Sequence, residues 1–197
     1  VARYLDLLQQ MRLITRRVPA TEFQPEKSKR GIYQIDDHFL RFWFRYVQPN
    51  QGSLDLGLTD AILDQRVRPD LDHFVSAAFE EACRHYIARL ARQGKIPFLP
   101  EKIGAWWQKE SEIDLLAMSR TEKQALVGEC KWSVNPVGVN VLDDLKQKAQ
   151  VLLREGDITQ LHYVLFARAG FTPALELQAD EEGITLVTVD EIVRAEE

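Results

Sequence analysis

Residues 3–15 carry Tyr4, Leu7, Leu8, Met11 and Ile14 at helical spacing, which predicts an amphipathic helix ended by Pro19. The stretch EFQPEKSKRGIYQI then sets a basic turn with Pro, Ser and Gly between two short segments, the second being β-prone Ile32–Ile35. Asp36 or Asp37 caps the next predicted helix, DHFLRFWFRYV. Its apolar residues, Phe39, Leu40, Phe42, Trp43, Phe44, Tyr46 and Val47, surround it on nearly all sides, so it has to be buried within the protein or against a partner. Residues 48–58 are the best linker candidate, followed by a short helix at 59–67 and a long one at about 69–92. Val75, Phe79, Cys83, Tyr86 and Leu90 form the apolar stripe of the long helix. From residue 98 the rhythm shortens to alternation, and 102–108, 112–118 and 124–132 predict three successive strands with a turn at 119–123. A helix (about 140–154), a strand (161–167), a helix (172–181) and a strand (184–189) complete the pattern. The pattern of apolar positions shows no internal repeat.

The order α-β-β-β-α-β, then α-β, predicts an α/β fold with a sheet flanked by helices. At 197 residues the chain holds one generous domain, or one domain with a small appendage. The expected division is residues 1–50, a linker and short helix at 51–70, and the α/β part at 71–197. A helix followed by a basic hairpin is the layout of the second half of a winged helix. Charge is divided along the same line. Residues 1–50 contain nine Lys and Arg against five Asp and Glu, while the remainder contains sixteen against twenty-five. A basic front with an acidic remainder is compatible with DNA contact through the front alone. Lys27, Lys29 and Arg30 in the hairpin, with Arg12, Arg16 and Arg17 before it, are the candidates for phosphate contact; a solvated turn is the plainer alternative. No apolar run approaches the roughly 18 residues of a membrane span, and VARYLDLLQQ reads as the middle of a helix rather than a signal peptide. A start without Met is expected of a fragment or a processed product. Two cysteines, Cys83 and Cys130, without a CxxC pair suit a reducing, cytoplasmic setting and not a disulfide framework or structural zinc.

Three charged spots point to chemistry. Glu112 and Asp114 alternate with Ile113 and Leu115 in SEIDLLAM, and Glu129 and Lys131 alternate with Cys130 in VGECKW. Glu80 and Glu81 lie on the long helix. Side chains two apart in a strand share a face at about 7 Å, so Glu129 and Lys131 point the same way. Asp114 joins them if the two strands pair through the 119–123 turn. Two carboxylates and an ammonium on one sheet face, with a third carboxylate from the helix, are what phosphodiester hydrolysis requires. Hard oxygen ligands hold Mg2+ or Mn2+, the ion acidifies a water, and the lysine orients that water and offsets transition-state charge. The competing reading is a solvated strand face with a salt bridge, worth about 0–1 kcal/mol if exposed. It explains EIDLLA alone better than it explains a Glu-x-Lys pair inside an otherwise apolar strand.

The segments IGAWWQKESEIDLLA and VGECKW closely resemble the C-terminal domain that follows the ATPase module of archaeal-type AAA+ ATPases. The likeness extends over RGIYQIDDHFLRFWFRYV and ITLVTVDEIV. That domain is assigned to the PD-(D/E)xK nuclease superfamily and is usually preceded by a winged helix. The resemblance implies a restriction-endonuclease-like mixed sheet flanked by helices, preceded by a partial winged-helix segment. It also implies Asp114 and Glu129 as metal ligands, Lys131 as catalytic lysine and Glu80 as the helix carboxylate, with Glu81 competing for that place. Ile113 stands where the superfamily name has proline. No GxxxxGK[ST] phosphate loop occurs, so an ATPase would be a separate module, in cis or in trans.

The expected function is thus metal-dependent hydrolysis of DNA by a PD-(D/E)xK-type domain. The main alternative is a catalytically silent nuclease-fold module that docks DNA or a protein for a separate ATPase; a winged-helix transcriptional regulator is a weaker third. Of Trp106 and Trp107, one is expected in the core. His38, His73, His85 and His162 lack metal-binding spacing. Cys130 should face away from Glu129, and Lys146, Gln147 and Gln150 are either a solvated helix face or an approach to phosphate.

Overall fold

The computed structural model of the chain describes residues 2–109, 111–154 and 158–194. The chain divides into two compact units, residues 1–18 with 24–74, and residues 19–23 with 75–197.

In the first unit α1 (Ala2–Gln10) gives way at Arg12, whose φ of 57° lies in the left-handed region. The helix expected over 3–15 is therefore too long: Ile14–Arg17 is a strand, β1, paired antiparallel with β2 (Ile32–Ile35). β-branched Ile14 and Thr15 suit the extended chain, and cross-strand pairing outweighs a helical period that only Ile14 carried beyond Arg12. Arg16 and Arg17 consequently sit on a hairpin.

Asp37 caps α2 (His38–Phe42), its Oδ1 accepting from Leu40 N at 2.8 Å. A π-helical turn over Trp43–Val47 follows, in which Gln48 N donates to Trp43 O, and a second over Leu63–Val67 ends with Arg68 N donating to Leu63 O. Each precedes a proline, in Val47-Gln48-Pro49-Asn50 and in Val67-Arg68-Pro69-Asp70. A proline ring excludes the carbonyl four residues back, so the turn opens to five. This is a short repeat that the apolar pattern hides. Between the two turns, α3 (Gln51–Asp55) is helical where a linker was expected over 48–58, and α4 (Thr59–Ile62) opens the short helix expected over 59–67.

Tyr46 is buried against the edge of Phe74, 5.6 Å between centroids, and its hydroxyl donates to Asp70 Oδ2 at 2.6 Å. Arg45 donates to both oxygens of Asp70, at 2.5 and 2.8 Å. Those bonds, Arg45 first and Tyr46 second, hold the Asp70 carboxyl down at about 2. Phe39 and Phe44 instead remain 67% and 48% exposed, so this stretch buries one side within the chain rather than all of it.

The second unit is a mixed five-stranded sheet with helices on both faces. Strands β3 (Lys102–Gln108), β4 (Ser111–Ser119) and β5 (Gln124–Lys131) pair antiparallel in sequence order. β6 (Gln160–Ala167) and β7 (Thr185–Thr188) continue the sheet in parallel. The long helix α5 (Leu71–Arg92), from Val75 onward, and α8 (Val189–Arg194) cover one face, through Phe79, Cys83, Ile87 and Ile192. On the other face α6 (Val139–Arg154) and α7 (Pro173–Glu182) bury Leu142, Leu145, Ala149, Leu175 and Ala179. Thr172 caps α7 ahead of Pro173, and Gly183 closes it at φ 68°. Alternation along β5 sends Ala125 and Val127 toward α6, and Leu126 and Cys130 toward α5. A Cβ at Gly128 would stand 2.9 Å from Val164 Cγ1 and 3.3 Å from Leu115 Cβ, so glycine permits the close approach of β4 and β6.

The pairing of β3 with β4 is irregular at one place. Gly104 lies opposite Leu116, yet Trp106 lies opposite Ile113. Two steps on β3 match three on β4, which is a β-bulge. The extra residue resets the alternation: Ile113, Leu116 and Met118 belong to the α6 side, Leu115 and Ala117 to the α5 side. Asp114 sits within the bulge, one residue beyond the point where β4 and β5 stop pairing, Leu115 opposite Gly128.

Candidate functional site

β5 delivers Glu129 and Lys131 to one face at its C-terminal end. Glu129 is 5% exposed. Lys131 Nζ donates to its Oε1 at 2.6 Å, while Oε2 is buried with no hydrogen-bond partner among the described residues. Such a group costs about 1–3 kcal/mol, more when charged, unless something else meets it.

Asp114 arrives from the bulge. Its Oδ2 accepts from Cys130 N at 2.8 Å, and its carbonyl accepts from the buried Arg84 of α5 at 2.9 Å. Both attachments satisfy groups the irregular strand leaves out of the ladder, which is how the bulge persists in a buried sheet. Arg84 Nη1 also lies 3.5 Å from Glu80 Oε2, one helical turn back. Burial, then the charge of Glu129, pushes the Asp114 carboxyl up to about 7; the Cys130 N–H opposes this and the charge of Glu80 adds to it. Glu80 is thus a helix carboxylate whose field reaches Asp114. Burial pulls on the Lys131 ammonium, but its bond to Glu129 and that carboxylate's charge outweigh burial, and its pKa is raised.

A residue that the sequence pattern did not single out completes the group. Lys148, on α6, has its Nζ 3.8 Å from Glu129 Oε2 and 2.7 Å from Asp144 Oδ2. Its side chain is 24% exposed against 57% for Asp144. An acidic-to-basic i,i+4 pair beside the buried Leu145 and Ala149 was the available signal. Its neighbour Lys146 pairs instead with Glu182 of α7, and Gln147 and Gln150 are exposed.

The other candidates fall elsewhere. Glu112 is exposed opposite Trp107, and Trp106 is the buried member of the tryptophan pair. Cys130 lies on the α5 side with Cys83; burial, then its contact with Cys83, pushes its thiol well above the usual range. Trp132 packs on Phe79 at 5.2 Å beneath the Arg168 guanidinium at 4.8 Å. His162 stacks on Phe98 and bonds Gln124.

In the first unit, Arg16 donates to the carbonyls of Pro25 and Ser28, each at 2.6 Å, and lies across Gly31, where any Cβ would collide with it. Arg17 donates to Gln34 Oε1 at 3.2 Å. Lys27 ends a short 3-10 turn, Pro25–Lys27; Lys29 follows, and Arg30 N donates to Ser28 Oγ at 3.1 Å.

Among the described residues, no three His, Cys, Asp or Glu side chains already stand as a set able to hold a metal ion, and no helix is long and apolar enough to cross a membrane.

Residues 43–147 match the model of DUF234, described as archaeal and bacterial proteins of unknown function. The match contains Glu80, Asp114, Glu129 and Lys131 and stops one residue before Lys148. An uncharacterized protein of Methanocaldococcus jannaschii, MJECL04, is 36% identical over 129 residues, 66% of this chain and 28% of that relative. The aligned part is thus less than a third of that relative's length. No solved structure matches.

Proposed function

The chain belongs to DUF234, and we propose that its second unit is a PD-(D/E)xK-type nuclease domain that hydrolyses DNA phosphodiesters with Mg2+ or Mn2+. The single observation that carries this reading is the buried Glu129 carboxylate, held on one oxygen by Lys131 and, among the described residues, without a hydrogen bond on the other, where Lys148 stands off at 3.8 Å. A hard divalent cation is the hydrogen-bond substitute such an oxygen can accept, and Asp114 offers a second oxygen ligand, its carboxyl pushed up first by burial and then by the charge of Glu129. The residues fit the ion through these two carboxylates, with Glu80 reaching the site through its charge. When bound, the ion supplies a water acidified toward neutrality and charge to meet the phosphate. Asp114 is held in orientation by the Cys130 N–H, and Glu129 fixes the Lys131 ammonium beside the reacting centre. Lys131 then holds the attacking water in line and meets the charge that grows on the phosphoryl oxygens.

In this reading the fold is restriction-endonuclease-like, and the first unit is the remnant of a winged helix. Lys27, Lys29 and Arg30 there contact DNA phosphates. The chain works in the cytoplasm with an AAA+ ATPase module, in cis or in trans.

The test is incubation with supercoiled, linear and single-stranded DNA in Mg2+ and in Mn2+, with a Glu129→Ala/Lys131→Ala variant alongside. Cleavage by the parent alone supports the reading; no cleavage by either sinks it. A second reading, a silent nuclease-fold module docking DNA or protein for the ATPase, is favoured by two observations. The carboxylates among the described residues do not already form a set of three ligands, and residues 51–197 carry sixteen Lys and Arg against twenty-five Asp and Glu. Retention of an ATPase module on the immobilised chain, without cleavage, would select it.

A further inference from the structure

We propose that Lys148 is a second phosphate-binding lysine of this site, parked against Glu129 until a divalent cation takes its place. The inference rests on the nuclease reading and adds a residue to it.

Lysines on helix surfaces ordinarily extend their ammonium into water. Lys148 does not: its side chain is 24% exposed, Asp144 one turn earlier holds the ammonium at 2.7 Å, and the same Nζ stands 3.8 Å from Glu129 Oε2. That separation is too long for a hydrogen bond and short enough for strong attraction. Glu129 is therefore straddled, with Lys131 bonded to one oxygen and Lys148 facing the other. Among the described residues, the linked charges here are the carboxylates of Glu129 itself, Glu80, Asp114 and Asp144 and the cations of Arg84, Lys131 and Lys148. With every group ionised, four negative charges meet three positive ones. A divalent ion on Glu129 Oε2 turns that single excess negative charge into a single excess positive one, equal and opposite to a phosphodiester. It also repels the ammonium nearest to it. Lys148, tethered by Asp144, is then the cation free to meet a non-bridging phosphate oxygen from the α6 side while Lys131 meets the phosphate from β5.

The two roles predict opposite signs for one substitution, which a merely structural lysine would not give. In Lys148→Gln the cation that competes for Glu129 Oε2 is gone, so Mn2+ binding, read by titration calorimetry without DNA, tightens severalfold. DNA affinity, read with a labelled duplex in Ca2+ to suppress turnover, falls about tenfold, and the slope of log affinity against log salt drops by about 0.9. Lys148→Arg keeps most of the DNA affinity, and Lys146→Gln, which breaks only the pair with Glu182, changes neither reading. Loss of both affinities in Lys148→Gln would make Lys148 a structural prop and overturn the proposal, as would loss of neither. A parent that binds Mn2+ but no duplex overturns this proposal alone. A parent that binds no Mn2+ removes the metal site and this proposal with it.

Discussion

Arg16 and Glu129 are both charged side chains drawn away from water, and the two regions treat them in opposite ways. Arg16 is closed by its surroundings: two carbonyls of its own turn accept from it, and Gly31 leaves room for it to lie flat. Glu129 is left half open, one oxygen on Lys131 and the other with no hydrogen bond among the described residues. In sequence the basic hairpin looks like the more conspicuous charged feature, with four Lys and Arg gathered in residues 27–30 and 16. In three dimensions its central arginine braces a loop, while the buried acid carries unspent interaction. What separates the two charges is how far the fold has already satisfied each of them.

The contrast breaks most visibly on the open side. Glu129→Ala or Lys131→Ala lowers DNA cleavage in Mg2+ by more than about a hundredfold; a variant that cuts as fast as the parent would remove the function from this site. On the closed side, Arg16→Ala leaves two carbonyls unpaired and destabilises the chain by about 1–3 kcal/mol. Lys27→Ala and Lys29→Ala change denaturant unfolding by less than about 0.5 kcal/mol. Should Arg16→Ala weaken DNA binding with no loss of stability, the contrast would be wrong.

Changing pH separates the two regions further. The Asp114 carboxyl is raised to about 7 from an ordinary 3.8, so folding favours its protonated form. That contribution is complete below pH 3.8 and is lost as pH rises through 7. In EDTA, Asp114→Asn therefore unfolds a few degrees higher than the parent at about pH 8, and the advantage vanishes by about pH 4. Added Mg2+ should stabilise the parent and not the variant. The smallest effect belongs to the first unit. Asp70 is lowered from 3.8 to about 2 by Arg45 and Tyr46, so its contribution is present above pH 3.8 and fades as pH falls through 2. Asp70→Asn flattens that part of an acid-unfolding curve; an unchanged curve would mean the triad is idle.

The strands and helices of the second unit were legible because each has a long, clean period: alternation in β4 and β5, and a helical stripe in α5 and α6. Glu129 and Lys131 were legible because a charged pair interrupts an apolar strand. Lys148 was not, since a helix of mixed Lys, Gln and Asp looks uniformly solvated until tertiary packing decides which ammonium turns inward. The reach of the Glu80 charge to Asp114 likewise shows only once the helix is laid on the sheet. In the first unit the periods are short and conflict with one another, and Ile14 serves a helical stripe on paper and a strand in the fold. The two π turns were invisible to apolar periodicity because they are set by proline sterics.

The extra residue at Asp114 has a consequence for descent as well as for chemistry. That extra residue is the one the strand could lose without disturbing its core: with one residue fewer among Ile113, Asp114 and Leu115 the bulge closes, plain alternation returns, and both halves of β4 keep their side chains on their present helical layers. What such a loss would remove is the irregular position that holds the Asp114 carboxylate against the Cys130 N–H. A relative with a one-residue gap within these three positions would keep the sheet and lack this perch for a carboxylate.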